Sequence, residues 1–190
     1  MHILSRNFLV KLDANGDYDW AAEIQTSDCG FAMELAHDGS LYLGGSTHCY
    51  SDPLTVDVDG SAATRLIDSP SPFPTGTWIA KWNSAGGLVW TRTISAKQSF
   101  SQPLLSVLPN GTLAIAGGFR DSIDLDPDSS NVQLFSSTLN FNAGVFGNMN
   151  VYLIGVDAAT GDYLWGQGFA AVDSLTFVQF FDIAQDDASN

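Results

Sequence analysis

The sequence contains few basic residues and almost no glutamate. Its 190 residues include 7 lysines and arginines against 21 acids, which gives a formal net charge of −14. The seven cations are spread along the chain without a cluster, which argues against partners such as nucleic acid or an anionic lipid surface. Only Glu23 and Glu34 are glutamate, and the other acids are aspartates, which favour turns and caps. The composition predicts a turn-rich protein.

Long apolar runs are also missing. No stretch approaches the ~18 apolar residues that mark a membrane span, and the first residues have no hydrophobic region of the signal-peptide type. With 45% hydrophobic residues, the chain is nevertheless apolar enough to build a core. The low lysine content and the acidic balance favour an extracellular or cell-surface protein. We therefore expect a mature part or a fragment of a secreted protein, without membrane insertion.

Only two cysteines are present, Cys29 and Cys49, and they flank a hairpin signal centred on Asp38-Gly39. A three-residue loop at 38–40 would pair residues whose numbers sum to 78, as those of the two cysteines do. The sequence therefore predicts that the cysteines face each other and form a disulfide. Two buried free thiols are the alternative.

The chain repeats itself at long period. Three segments align, each with an apolar run, a turn containing glycine and a tryptophan, and their starts lie 70 and 74 residues apart: Phe8–Trp20, Trp78–Trp90 and Tyr152–Trp165. A second set follows them: Met33–Ser40, Leu105–Thr112 and Phe181–Ala188. The unit is about 72 residues long. We predict a partial unit at 1–28, full repeats at 29–98 and 99–172, and the first strand of a further repeat at 173–190.

Each unit consists of short alternating apolar stretches separated by turn residues, and no stretch has a helical stripe. The predicted fold is all-β. Strands a, b, e and f of a unit are expected to form a four-stranded antiparallel meander, while strands c and d form an excursion from it. The predicted ranges for a, b, e and f are 31–36, 41–46, 77–83 and 88–94 in the first full repeat, and 103–108, 112–118, 150–157 and 163–169 in the second.

These segments resemble the repeats of bacterial extracellular β-propellers of the SBBP type. The resemblance rests on the Asp-x-x-x-Gly turns followed by tryptophan, on Leu43–Ser46 and Ile115–Phe119, and on Ile123–Pro127. The segment Val156–Trp165 is also similar to the tryptophan-docking motif of quinoprotein propellers. The resemblance implies a propeller-like scaffold of antiparallel four-stranded sheets, present here as about 2.5 units. It does not imply a catalytic centre.

One tryptophan recurs at a fixed place in each unit: Trp20, Trp90 and Trp165. An indole lying flat against the neighbouring sheet would bury on the order of 200 Å² and fix one unit to the next. A ligand-stacking platform is the alternative. Known propellers close with at least about four blades, so we do not expect a closed ring. The chain is then a fragment of a longer propeller, or its open sheet edges bind further copies head to tail.

Paired aspartates mark the predicted strand c in both full repeats: Asp57 and Asp59, then Asp124, Asp126 and Asp128. Carboxylates two residues apart on a strand share a face, and Ca²⁺ would relieve their repulsion. Turn formation and a solvated strand edge are the alternatives. Calcium is the only cofactor that the sequence suggests.

Other motifs carry less chemistry. Asn110-Gly111-Thr112 is an N-glycosylation sequon, although an Asn-Gly turn of type I′ would explain it equally. The histidines have no metal-site spacing, and no nucleophile or phosphate-binding motif is present. We therefore expect a non-enzymatic extracellular structural protein, the repeat subunit of a surface structure or of a head-to-tail fibre. The alternative is a calcium-dependent or carbohydrate-binding propeller module from a longer adhesin-like protein.

Overall fold

The computed structural model describes residues 6–25, 31–46, 54–56, 65–67, 75–99, 102–127, 132–136, 149–171 and 182–183. This part of the chain consists of strands, turns and short connecting segments, without a helix, so the all-β prediction is confirmed. Accordingly, no helix within it could cross a membrane.

The described strands lie close to the ranges that the apolar alternation predicts. In chain order they are β1 (Arg6–Leu12), β2 (Tyr18–Gln25), β3 (Phe31–Leu35), β4 (Leu41–Ser46), β5 (Leu54–Val56), β6 (Arg65–Ile67), β7 (Thr75–Trp82), β8 (Leu88–Ser99), β9 (Leu104–Val107), β10 (Thr112–Asp124), β11 (Leu134–Ser136), β12 (Asn150–Asp157) and β13 (Tyr163–Phe169). Strand β10 covers predicted strand b and most of the second predicted strand c, which was expected at 122–126, because the chain continues without a turn between them.

All pairings between the described strands are antiparallel. Strands β1 and β2 form a separate pair, which we call the first hairpin. Strands β3, β4, β7 and β8 form the first meander, and β9, β10, β12 and β13 form the second. The far end of β8 pairs with the far end of β10, which joins both meanders and β11 into one open, curled sheet of nine strands. Strands β5 and β6 form a two-stranded sheet of their own.

The first meander is covered on both faces. Along β7, Trp78, Ala80 and Trp82 pack with residues of the first hairpin. Ile79, on the opposite face of the same strand, packs in a second cluster with residues of the second meander. Because both faces are covered, burial does not alternate along β7, and Gly76–Trp82 is buried throughout. Three layers therefore follow one another: first hairpin, first meander, second meander.

The turn between β3 and β4 differs from the prediction. Its loop comprises residues 37–39, because Ala36 and Ser40 close it with a backbone hydrogen bond of 2.9 Å. Gly39 is the last loop residue, with φ of 80°, and the strands pair Leu35 with Leu41. Partners across this hairpin therefore sum to 76 and not to 78. The register that placed the two cysteines opposite each other was wrong; Cys29 and Cys49 lie outside the described residues, and the disulfide stays a prediction.

The turn at Asn110 is not of type I′. That type needs a positive φ at both central residues, whereas here Gly111 has a positive φ, of 81°, and the φ of Asn110 is not positive. Leu108 and Thr112 close the loop through a 2.8 Å backbone hydrogen bond, as Ala36 and Ser40 do in the equivalent turn. Both turns thus place a single glycine in the left-handed region at the last loop position.

Candidate functional site

The first hairpin contacts the first meander through Trp20. The indole lies against Gly86 in the turn between β7 and β8, where a Cβ atom on that glycine would come within 2.7 Å of the ring. The indole nitrogen donates a hydrogen bond of 3.2 Å to the carbonyl of Ser84. A tryptophan of one layer therefore sits on the turn of the next layer.

The first meander contacts the second in the same manner. Trp90 is 6% exposed. Its ring lies against Gly161, in the turn between β12 and β13, and a Cβ atom placed on that glycine would be 3.0 Å from the ring. Its indole nitrogen donates to the carbonyl of Ala158 at 3.4 Å. Gly161 holds the place of Gly86, four residues before the aligned tryptophan. Ala158 holds the place of Ser84 when the residues are counted from the aligned starts Tyr152 and Trp78, because the second turn is one residue longer. One arrangement thus occurs twice, about 70 residues apart.

A lysine accompanies each tryptophan. Lys11 lies opposite Trp20 in the first hairpin, and Lys81 lies opposite Trp90 in the first meander. The Lys11 ammonium donates to the carbonyl of Ser84 at 2.6 Å, and that of Lys81 donates to the carbonyl of Ala158 at 2.8 Å. The lysine and the indole therefore share one carbonyl oxygen in each contact.

The second contact is more deeply buried than the first. Tyr42 also donates to the Ala158 carbonyl, at 2.8 Å, and burial raises the pKa of Tyr42 to about 12, so the hydroxyl stays a donor at neutral pH. Arg92 donates to the carbonyls of Gly161 and Thr160 at 3.0 and 2.8 Å. Its guanidinium also lies 6.0 Å from the centre of the Trp90 ring, within the range of a cation–π contact. Four side chains of the first meander thus bind one turn of the second.

Each receiving turn is held by its first side chain. Asn83 accepts hydrogen bonds from the backbone N–H groups of Ala85 and Gly87, and Asp157 accepts them from Ala159 and Thr160. In the first hairpin, Asp13 closes the equivalent turn. These backbone donors lower the pKa values of Asp13 and Asp157, since they stabilise the charged carboxylate. Each turn is therefore held by hydrogen bonds within its own layer.

The third tryptophan stands apart from the other two. Trp165 lies opposite Gly155, which holds the place of Lys11 and Lys81, and a Cβ atom on Gly155 would overlap the indole. The ring therefore rests on the backbone of its own layer. It is 40% exposed, whereas Trp90 is 6% exposed.

The aspartates of predicted strand c lie in two environments. Asp124 and Asp126 are 4% and 7% exposed, not solvated as a strand edge would be. One oxygen of Asp124 accepts hydrogen bonds from the backbone of Asp126 and Gln133, at 3.2 and 2.8 Å, and so holds the segment that leads into β11. The nearby Tyr163 has a raised pKa, through its burial first and then through these two carboxylates.

No metal-binding group of three or more histidine, cysteine or acidic residues occurs among the described residues. Asp57, Asp59 and Asp128 lie outside them, so the calcium site stays a prediction. Asn110 is exposed in its turn, and its side-chain oxygen accepts a hydrogen bond of 3.1 Å from the backbone of Thr112. Glycosylation at Asn110 also stays a prediction.

Sequence reasoning missed the polar part of the contact between layers. The sequence shows Lys11, Lys81 and Arg92 only as scattered cations, although all three donate to the turn of the next layer. The signal was present, because Lys11 and Lys81 occupy the same position in the aligned segments. Arg92 has no such counterpart, and its role depends on the tertiary structure.

A comparison with protein-family models, with curated proteins and with solved structures finds no match to this chain. The resemblance to propeller repeats therefore stays a prediction from the sequence, and the contacts between the layers are the basis for the function proposed next.

Proposed function

We propose that this chain is a non-enzymatic structural protein in which propeller-like β repeats stack as successive layers. In this proposal it acts outside the cell, as the repeat subunit of a surface structure or of a head-to-tail fibre. The tryptophans fix each layer to the next, and the turns between strands e and f receive them.

One observation carries this proposal: the same tryptophan-on-turn contact is made twice, with the same partners at the same positions. Trp20 and Lys11 bind the carbonyl of Ser84, and Trp90 and Lys81 bind that of Ala158. A contact that recurs at the period of the repeat is typical of architectures that grow by adding similar units.

The use of polar side chains supports a structural role. The buried ammonium of Lys81 and the hydroxyl of Tyr42 are directed to a backbone carbonyl, and Asp157 and Asp124 to backbone N–H groups. Another buried hydroxyl, that of Tyr152, joins the two meanders through a 2.8 Å hydrogen bond to Thr77. These groups stabilise turns and layers, which is what a scaffold requires.

The proposed extracellular location rests on composition, namely on the low lysine content and the acidic balance of the chain.

A net charge of −14 keeps copies of a scaffold from associating without specificity, because like charges repel at low ionic strength. Specific association must then come from defined apolar contacts that overcome this repulsion.

Electron microscopy and multi-angle light scattering of the purified chain test the proposal. We expect elongated assemblies whose mass increases with protein concentration. A folded chain that remains monomeric at every concentration, in physiological salt, would overturn the proposal.

A further inference from the structure

The two outer layers, the first hairpin and the second meander, each expose one half of the contact by which neighbouring layers are joined. Each layer has a receiving face, formed by alternate residues of its strand e, and a donating face, which carries the tryptophan. The residues at equivalent positions can be compared layer by layer, because the three segments align.

The receiving face is buried in both meanders and exposed in the first hairpin. Its strand e residues are Trp78, Ala80 and Trp82 in the first meander and Tyr152, Ile154 and Val156 in the second, and all six are at most 1% exposed. The equivalent residues of the first hairpin, Phe8, Val10 and Leu12, are 67%, 52% and 54% exposed. A Cβ atom on Gly16, in the turn of that hairpin, would meet no atom within 4 Å. The receiving face of the first hairpin is thus apolar and open.

The donating face is buried in the first hairpin and in the first meander, and exposed in the second meander. Ile24 and Ile94, four residues after the tryptophans of the first two layers, are 3% and 1% exposed. In the second meander, Phe169 takes this position and is 46% exposed, beside the 40% exposed Trp165. The second meander therefore presents an open donating face.

We infer that the donating face of one copy binds the receiving face of a second copy, with Trp165 on the Gly16 turn and Phe169 against Phe8 and Val10. This inference rests on the proposed function and specifies its partner, its polarity and its surfaces. The occupant is a second copy because the two open faces have the shape and chemistry of a pair that already meets twice inside the chain. The contact is heterologous, so repeated addition gives a filament unless the rotation closes a ring.

The intermolecular contact is weaker than the internal ones. Gly155 replaces the lysine that donates to the turn carbonyl in the other two contacts, so that hydrogen bond is missing. The apolar area of both faces remains, and its burial drives the association. Assembly is therefore reversible, and salt promotes it by screening the net charge of −14.

Two variants each remove one half of the contact. Val10→Lys places a charge in the receiving face, and Phe169→Lys places one in the donating face. Val89→Lys is the matched control, because Val89 is 46% exposed, lies outside both faces and has the same change of charge. All three positions are on the surface, and circular dichroism with an unfolding curve checks that each variant is folded.

Sedimentation velocity over a wide range of protein concentration gives the result. We expect the wild type and Val89→Lys to assemble, and Val10→Lys and Phe169→Lys each to sediment as monomers when alone. An equimolar mixture of these two should form a one-to-one dimer and nothing larger, because each variant retains the face that the other lacks.

The outcomes separate this inference from the proposed function. If the wild type assembles and both lysine variants assemble equally well, the interface is wrong while the structural function stands. The same holds if the variants are monomeric but their mixture forms no dimer. If the wild type stays monomeric, the inference and the proposed function are both overturned.

Discussion

The ammonium group of Lys81 donates a hydrogen bond of 2.8 Å to the carbonyl oxygen of Ala158, which is 77 residues further along the chain. The lysine is only 8% exposed. A buried charge is costly unless it is hydrogen-bonded, and here the turn of the next layer supplies the acceptor. The joining of two layers thus depends on a charged group whose partner is a backbone atom.

Replacing Lys81 by methionine should therefore weaken the contact between the meanders. Methionine keeps most of the aliphatic chain but cannot donate, so we expect a loss of about 1.5–3 kcal/mol in the free energy of unfolding, the usual value for a hydrogen bond to a charged group. Urea denaturation measures it. Lys97→Met is the control, because Lys97 forms an exposed ion pair with Asp121 and should cost only about 0.2–1 kcal/mol. Equal losses would contradict the role of Lys81.

Gly161 should be more sensitive to alanine than Gly111. Both glycines have a positive φ, 77° and 81°, so each variant pays a left-handed backbone penalty of about 1–2 kcal/mol. Only the Cβ atom at Gly161 would meet Trp90, at 3.0 Å, whereas nothing lies within 4 Å of the one at Gly111. We expect Gly161→Ala to be the less stable variant by about 1 kcal/mol or more, since overpacking adds to the backbone penalty. Unfolding midpoints that coincide would show that Trp90 does not rest on this turn.

Acid should weaken the receiving turn through Asp157. The pKa of this carboxyl is lowered from 3.8 by the N–H groups of Thr160 and Ala159, so its contribution is complete above about pH 4 and is lost as the pH falls through the lower, folded-state value. Asp157→Asn keeps the acceptor oxygen, as Asn83 does in the equivalent turn, but cannot be protonated in this range. We expect the variant to lose less stability than the wild type between pH 5 and pH 2.

The control for that measurement is Asp17→Asn, in the turn of the first hairpin. This variant makes the same chemical change and the same change of net charge at an exposed position, and so controls for the loss of one negative charge. Urea midpoints at a series of pH values provide the comparison. An Asp157→Asn variant with unchanged acid sensitivity would contradict the linkage.

Asp124 should act as a backbone acceptor. Asp124→Ala leaves the N–H groups of Asp126 and Gln133 without this acceptor, and we expect a loss of about 1–3 kcal/mol. Asp124→Asn retains one acceptor oxygen and should lose less. The same unfolding curves with calcium and with a chelator test the calcium prediction: a midpoint that rises with calcium in the wild type, but not in Asp124→Asn, would assign Asp124 to a metal site instead.

Much of the local structure could be predicted from the sequence. Alternating apolar residues and glycine turns located the strands, and the aligned tryptophans marked equivalent positions, because these features depend on interactions between near neighbours. The exact geometry of the turns could be predicted less well from the sequence. The loop at 37–39 was misplaced by one residue, since the left-handed Gly39 can occupy more than one loop position in a hairpin signal.

The sequence by itself determined an acidic, all-β chain with a repeated strand order and a tryptophan at one equivalent position of each repeat. Only the tertiary structure decided that Trp20 and Trp90 rest on the turns of the following layers, that Lys81 becomes buried, and that β8 joins β10 to unite the meanders. The physical reason is the range of the interactions. Strand alternation and turn formation involve residues a few positions apart, whereas the contacts between layers join residues about 70 positions apart and exist only once the layers are stacked.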